Sequence, residues 1–143
     1  MREILFRGKE VEYDDWLEGY YAIVGDKHVI IRKELDTYYS PDHDYEERRG
    51  AEIVQILPQS VGQFTNFYDK RGKKIFEGDI LKYVIPDPPH ADSVGYAEVI
   101  WDNGWKLQFR GHEPEETDQE DLSKYTEIVG NIWDTPELLG VKR

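Results

Sequence analysis

The chain has 143 residues, with 18 Lys and Arg against 30 Asp and Glu, a formal charge of -12 that repels phosphate backbones and disfavours nonspecific nucleic-acid binding. It has no cysteine, which excludes a disulfide framework, a thiolate zinc site and a thiol nucleophile. Ten Tyr, five Phe and four Trp supply the apolar surface that disordered acidic chains lack, so a folded protein of one domain or two small subdomains is expected.

The opening, Met1 to Gly8, carries Arg2, Glu3 and Arg7 and lacks the apolar core of a secretory signal. The longest apolar runs, such as Val29 to Ile31, are too short to span a bilayer. A soluble cytoplasmic protein with no membrane partner is expected.

Ile4 to Arg7 reads as a short strand. Trp16 to Val24, rich in aromatic and β-branched residues, reads as a longer one. A turn at Gly25 to Lys27 returns the chain along His28 to Lys33, giving a first hairpin. Leu35 to Gly50 has neither apolar period and mixes acids with Ser40, Pro41, Arg48 and Arg49, so an exposed loop is predicted. Glu52 to Leu57 is a strand ended by Pro58, and Ser60 is placed to cap a tight helical turn.

Phe67 and Tyr68, then a charged turn from Asp69 to Lys74 around Gly72, lead to Ile75 and Phe76. Glu77, Gly78 and Asp79 turn the chain into a strand at Ile80 to Ile85, stopped by Pro86. After the proline-containing stretch Pro86 to Ser93, Tyr96 to Trp101 and Trp105 to Arg110 flank Asp102, Asn103 and Gly104. Asn-Gly between two aromatic strands is the strongest hairpin signal in the chain. Glu113 to Asp121 holds six acids in nine residues and predicts a solvated loop. A helical turn follows at Leu122 to Tyr125, then a strand at Glu127 to Trp133. Thr135 before Pro136 predicts a capped terminal helix.

Short strands divided by Gly, Asn, Asp and Pro turns indicate a mainly β protein. The expected division is an N-terminal β subdomain, 1–58, containing the hairpin, and a C-terminal subdomain, 59–143, forming a small SH3-like barrel with a short terminal helix.

The stretch PQSVGQFTNFYDKRGKKIFEGDIL, Pro58 to Leu81, resembles the central signature of the YopX family of bacteriophage and prophage proteins. The opening MREILFRGK, the later Trp16, Gly19 and Tyr20, and the ending IVGNIWDTPELL resemble other blocks of that family in the same order. Asn66 departs from the pattern, which more often has glycine there. The resemblance implies a phage accessory protein of the bacterial cytoplasm with no assigned activity or cofactor, and it transfers no catalytic residue.

The residues themselves point to weak chemistry. Lys73 and Lys74 lack a phosphate-loop frame, and His28, His43, His90 and His112 are scattered. Asp42, His43 and Asp44 are the densest set of metal-ligand types, read here as a solvated loop. Glu77 and Asp79 bracket a glycine and suit either a cation site or a turn whose Asp binds backbone amides. Trp101, Trp105 and Phe109 serve as a ligand platform or as core. Glu113, Glu115, Glu116 and Asp118 form the acidic part of a candidate contact surface, with mimicry of nucleic-acid charge toward a host protein as one use. The leading expectation is a non-enzymatic protein acting by protein contact and self-association. A DNA mimic and a small enzyme using Glu77 and Asp79 are the alternatives.

Overall fold

The computed structural model describes residues 2–40 and 43–140, with side chains at 2–32 and 52–140. The chain is mainly β and forms two compact units, one of Ile4–Val61 and the other running from Gly62 onward together with Met1–Glu3.

The first unit contains β1 (Phe6–Lys9), β2 (Trp16–Val24), β3 (Lys27–Ser40) and β4 (His43–Gln55), then a single 3-10 turn at Pro58–Ser60. The strands pair antiparallel in the order β4-β3-β2-β1. Alternation along each strand sorts the side chains by face. Leu17, Tyr21, Ile30 and Val54 share the inner face, where they pack with Phe6, Ile56 and Val61. Gly8 is required at this core: a Cβ there would lie 2.3 Å from Ile56 Cδ1, a distance no packed side chain tolerates.

Two expectations are corrected in this unit. The predicted loop from Leu35 to Gly50 is instead a continuation of β3 and β4, paired in register from Val29 opposite Gln55 to Tyr38 opposite Glu46. Beyond Ile31, β3 has only β4 as its partner, and a two-stranded ribbon is held by its backbone ladder without the apolar alternation of a packed sheet. Ser60 is not a helix cap. Its hydroxyl donates to the Leu57 carbonyl and accepts from the Lys9 amide, 2.8 Å away, so it ties β1 to the turn that ends the unit.

The second unit opens with β5 (Gly62–Tyr68) and β6 (Lys74–Phe76), an antiparallel pair with an irregularity between Phe64 and Tyr68. Asn66 sits in that irregularity with φ of +67°, a left-handed conformation that glycine adopts freely and asparagine tolerates better than most residues. Its side chain compensates by accepting from the Glu3 amide and donating to the Glu3 carbonyl. Asparagine therefore meets the backbone demand that a glycine would meet there, and adds a clasp on the N-terminus.

Then come β7 (Asp79–Ile85), β8 (Ser93–Trp101), β9 (Trp105–Phe109), β10 (Glu115–Glu116), α1 (Gln119–Tyr125), β11 (Thr126–Asn131) and a 3-10 turn at Pro136–Leu139. The five strands are ordered β10-β9-β8-β7-β11. The last strand returns beside the first of a meander, and β10 and β11 are the edges of this sheet, which is not closed on itself. Ile75, Leu81, Ala97, Val99, Leu107 and Leu122 make the core. The predicted hairpin is present, with Trp101 opposite Trp105 and Asn103 at φ of +55°. The predicted acidic loop is interrupted by β10 and by the start of α1, whose N-cap Asp118 accepts from the Asp121 amide. Thr135 does not cap the terminal turn; its hydroxyl binds the backbone of Asn131 instead.

Asp69, almost fully buried, fixes the turn between β5 and β6. Its Oδ1 accepts from the Arg71 and Lys73 amides, and its Oδ2 from the Ile128 amide of β11 at 3.0 Å. Removing a buried carboxylate that accepts from three part-buried amides loses three charge-assisted bonds at once. Asp69→Ala is expected to lower unfolding stability by about 3 kcal/mol or more, and Asp69→Asn by less, because one carbonyl oxygen remains for the turn. Urea unfolding of the three proteins checks this order.

Candidate functional site

The carboxylates singled out by sequence are bound to backbone. Asp79 is buried, and its Oδ2 accepts from the Phe76 amide at 2.7 Å. Gly78 between them has φ of +88°, the left-handed conformation that this turn demands. Glu77 reaches the Gln63 amide with Oε1 at 3.4 Å. The turn reading thus describes Asp79, and Glu77 lies against β5.

Glu77 also influences Glu98. Glu98 lies on β8 opposite Ile80 and Gln108; burial first, and the negative charge of Glu77 second, raise its carboxyl above the ordinary carboxylate range. Among the described residues no group of three or more His, Asp or Glu is placed to hold a metal ion. Asp42 lies outside the described residues, as do the side chains of His43 and Asp44.

The tryptophans divide. Trp101 is 57% exposed, whereas Trp105 packs against the core. Their rings meet edge to face at 5.0 Å, a geometry that stabilises the hairpin tip. The Trp105 Nε1 is buried without a hydrogen-bond partner among the described residues.

The acids from Glu113 to Asp121 are spread over different structures. Glu113 is exposed, Glu115 and Glu116 form β10, and Asp118 caps α1. Glu115, Glu116 and Asp121 also edge an open cleft of about 430 Å³. Ile85, Leu107 and the rings of Tyr83 and Phe109 line it with apolar surface from one face of the sheet, and His112 also lines it. Tyr83 meets Phe109 edge to face and stacks on Tyr125. Burial chiefly, then Asp121, Tyr125, Asp118 and Glu115, raise the Tyr83 hydroxyl above its ordinary value. Sequence reasoning named the acids and Phe109, set His112 among scattered histidines, and missed Tyr83 and Leu107. No local motif links them, because the β7-β8-β9 register and the return through β10 bring them together.

A second surface lies on the outer face of the first unit. Tyr20 stands opposite Ile31, and Ile31 opposite Ile53, so the three form a row across β2, β3 and β4. Tyr20 and Ile53 are each 63% exposed, and Val24 on the same face is also exposed.

A family model described as YopX protein matches residues 5–140. Among solved structures, the crystal structure of protein EF1440 from Enterococcus faecalis is similar in fold. It has a TM-score of 0.59 and 22% identity, over 97% of this chain and 99% of that one. No curated protein matches the chain. Among the described residues no helix is long and apolar enough to cross a membrane.

The raised Glu98 carboxyl has a defined consequence for stability. A carboxyl whose folded value exceeds its unfolded one destabilises the fold above that value, and the penalty disappears as falling pH protonates both states. Glu98→Gln is expected to melt above the parent at pH 7, with the difference vanishing below about pH 4. Thermal melts across that range test the sign.

Proposed function

The chain belongs to the YopX family, and we propose that it is a non-catalytic phage or prophage accessory protein that works by protein contact, beginning with a second copy of itself. The observation carrying this reading is the apolar row of Tyr20, Ile31 and Ile53, exposed at Tyr20 and Ile53 and half-buried at Ile31. Packed sheet faces lie about 10 Å apart and bury such rows from both sides. A two-fold axis lays this row on its own copy, apolar on apolar, and needs no complementary charge.

That matters because each copy carries a formal charge of -12. Two copies repel each other through solvent, so their contact must be made where charge is absent, and the row is such a place. The carboxylates Glu77 and Asp79 hold backbone amides, which favours a structural role for them over acid-base chemistry. The acids of 113–121 are divided among a strand, a helix cap and a cleft edge, which favours contact through the apolar row over mimicry of a regular phosphate backbone.

Light scattering at micromolar concentration is expected to give a dimer or larger assembly. The assembly should persist or strengthen in high salt, where repulsion is screened. The double variant Tyr20→Ser, Ile53→Thr should be monomeric with an unchanged circular dichroism spectrum, since both residues are exposed. A monomeric parent protein contradicts the reading.

A further inference from the structure

The cleft of the second unit has a chemistry of its own, separate from the apolar row. The aliphatic side chains of Ile85 and Leu107 suit a methylene chain, and two rings, Tyr83 and Phe109, line the cleft beside them. Glu115, Glu116 and Asp121 are carboxylates along its edge, and no Lys or Arg is among the described residues that line it. A hydrated divalent ion is poorly matched to such walls, because it requires oxygen ligands nearly all round. An alkyl stem ending in a planar cation is matched at every part: stem on the aliphatic side chains, cation face on the rings, N–H edge toward the carboxylates.

We propose that this cleft receives an arginine side chain from a basic segment of a partner protein. Arginine is favoured over lysine because a guanidinium stacks on aromatic faces and presents its donors in a plane, whereas an ammonium is a compact, strongly hydrated charge. The Tyr83 hydroxyl, a phenol and neutral at pH 7, adds a wall group with no competing charge. The overall charge of -12 draws a basic segment toward the molecule from a distance, and the cleft then selects the side chain that enters.

The probe is a blocked glycine peptide with one central arginine, compared with the same peptide carrying citrulline, which keeps the shape and removes the charge. Both are titrated to about 10 mM, enough to detect an isolated side-chain contact, while backbone amide NMR shifts are followed. The arginine peptide is expected to shift Gly95, Leu107, Phe109 and Thr117, and to bind about tenfold more tightly than the citrulline peptide. The shifts should weaken in Glu115→Gln, Glu116→Gln. They should vanish in Ser93→Lys, which sets a resident cation at the exposed margin. Equal shifts from both peptides, shifts scattered over the acidic surface, or none at the highest concentration would each overturn the proposal. The Tyr20→Ser, Ile53→Thr protein should bind the arginine peptide as the parent does, so failure of the cleft and failure of self-association are read separately.

Discussion

A carboxylate removed from water must find donors in the protein, and Asp69 finds them in the amides of Arg71, Lys73 and Ile128. Two of these close the turn from β5 to β6, and the third belongs to a strand 59 positions along the chain. The same turn reaches β11 again through the Lys70 amide, bonded to the Thr126 carbonyl, and through Arg71, whose guanidinium meets Glu127 at 2.8 Å. The ion pair is largely solvated and contributes little by itself; the buried carboxylate does most of the fastening. With β11 fixed, the five-stranded sheet has its second edge, and Leu122 at the centre of the preceding helix is seated in the core. The cleft depends on this arrangement, because β10 and α1, which supply its acids, are both carried between β9 and β11.

The two units solve the problem of burying one sheet face differently. In the first, a glycine at position 8 lets Ile56 close over the strands, and the opposite face keeps an uncharged row exposed. In the second, the sheet is covered by α1 and by side chains of β5 and β6, and what stays open is a cleft edged with carboxylates. One surface thus suits an apolar partner with no net attraction at long range, and the other a cationic one. Neither surface requires a strained catalytic geometry, and the raised carboxyl of Glu98 owes its shift first to burial and then to the negative charge of Glu77.

Much of the fold was legible because its signals are local. Trp16 to Val24 coincides with β2, and the Asn103-Gly104 turn announces β8 and β9 because only a few residues accept its backbone angles. The reading failed from 35 to 50, where β3 and β4 pair through their backbones and the sequence shows no apolar alternation to detect. It also failed at Ser60 and Thr135: both are cap-type residues beside a helical turn, but Ser60 spends its hydroxyl on the Leu57 carbonyl and the distant Lys9 amide, and Thr135 on the backbone of Asn131 four residues back. Asp69 looked like one acid of a charged turn, and only the distant Ile128 amide distinguishes it. The cleft was illegible for the same reason, since its lining comes from four strands and a helix. The acids could be counted in the sequence; their division among strand, cap and cleft could not.

The central claim is that the outer row of the first unit is a contact between copies, and the absence of cysteine from the chain allows a direct test. A single cysteine introduced as Ile53→Cys, treated with a short bismaleimide at micromolar protein, is compared with Ser93→Cys, which lies in the other unit beside the cleft. Covalent dimer formed in high yield from the first and only in traces from the second is the predicted result. Equal yields, or none from Ile53→Cys, would contradict the claim that this face meets its own copy.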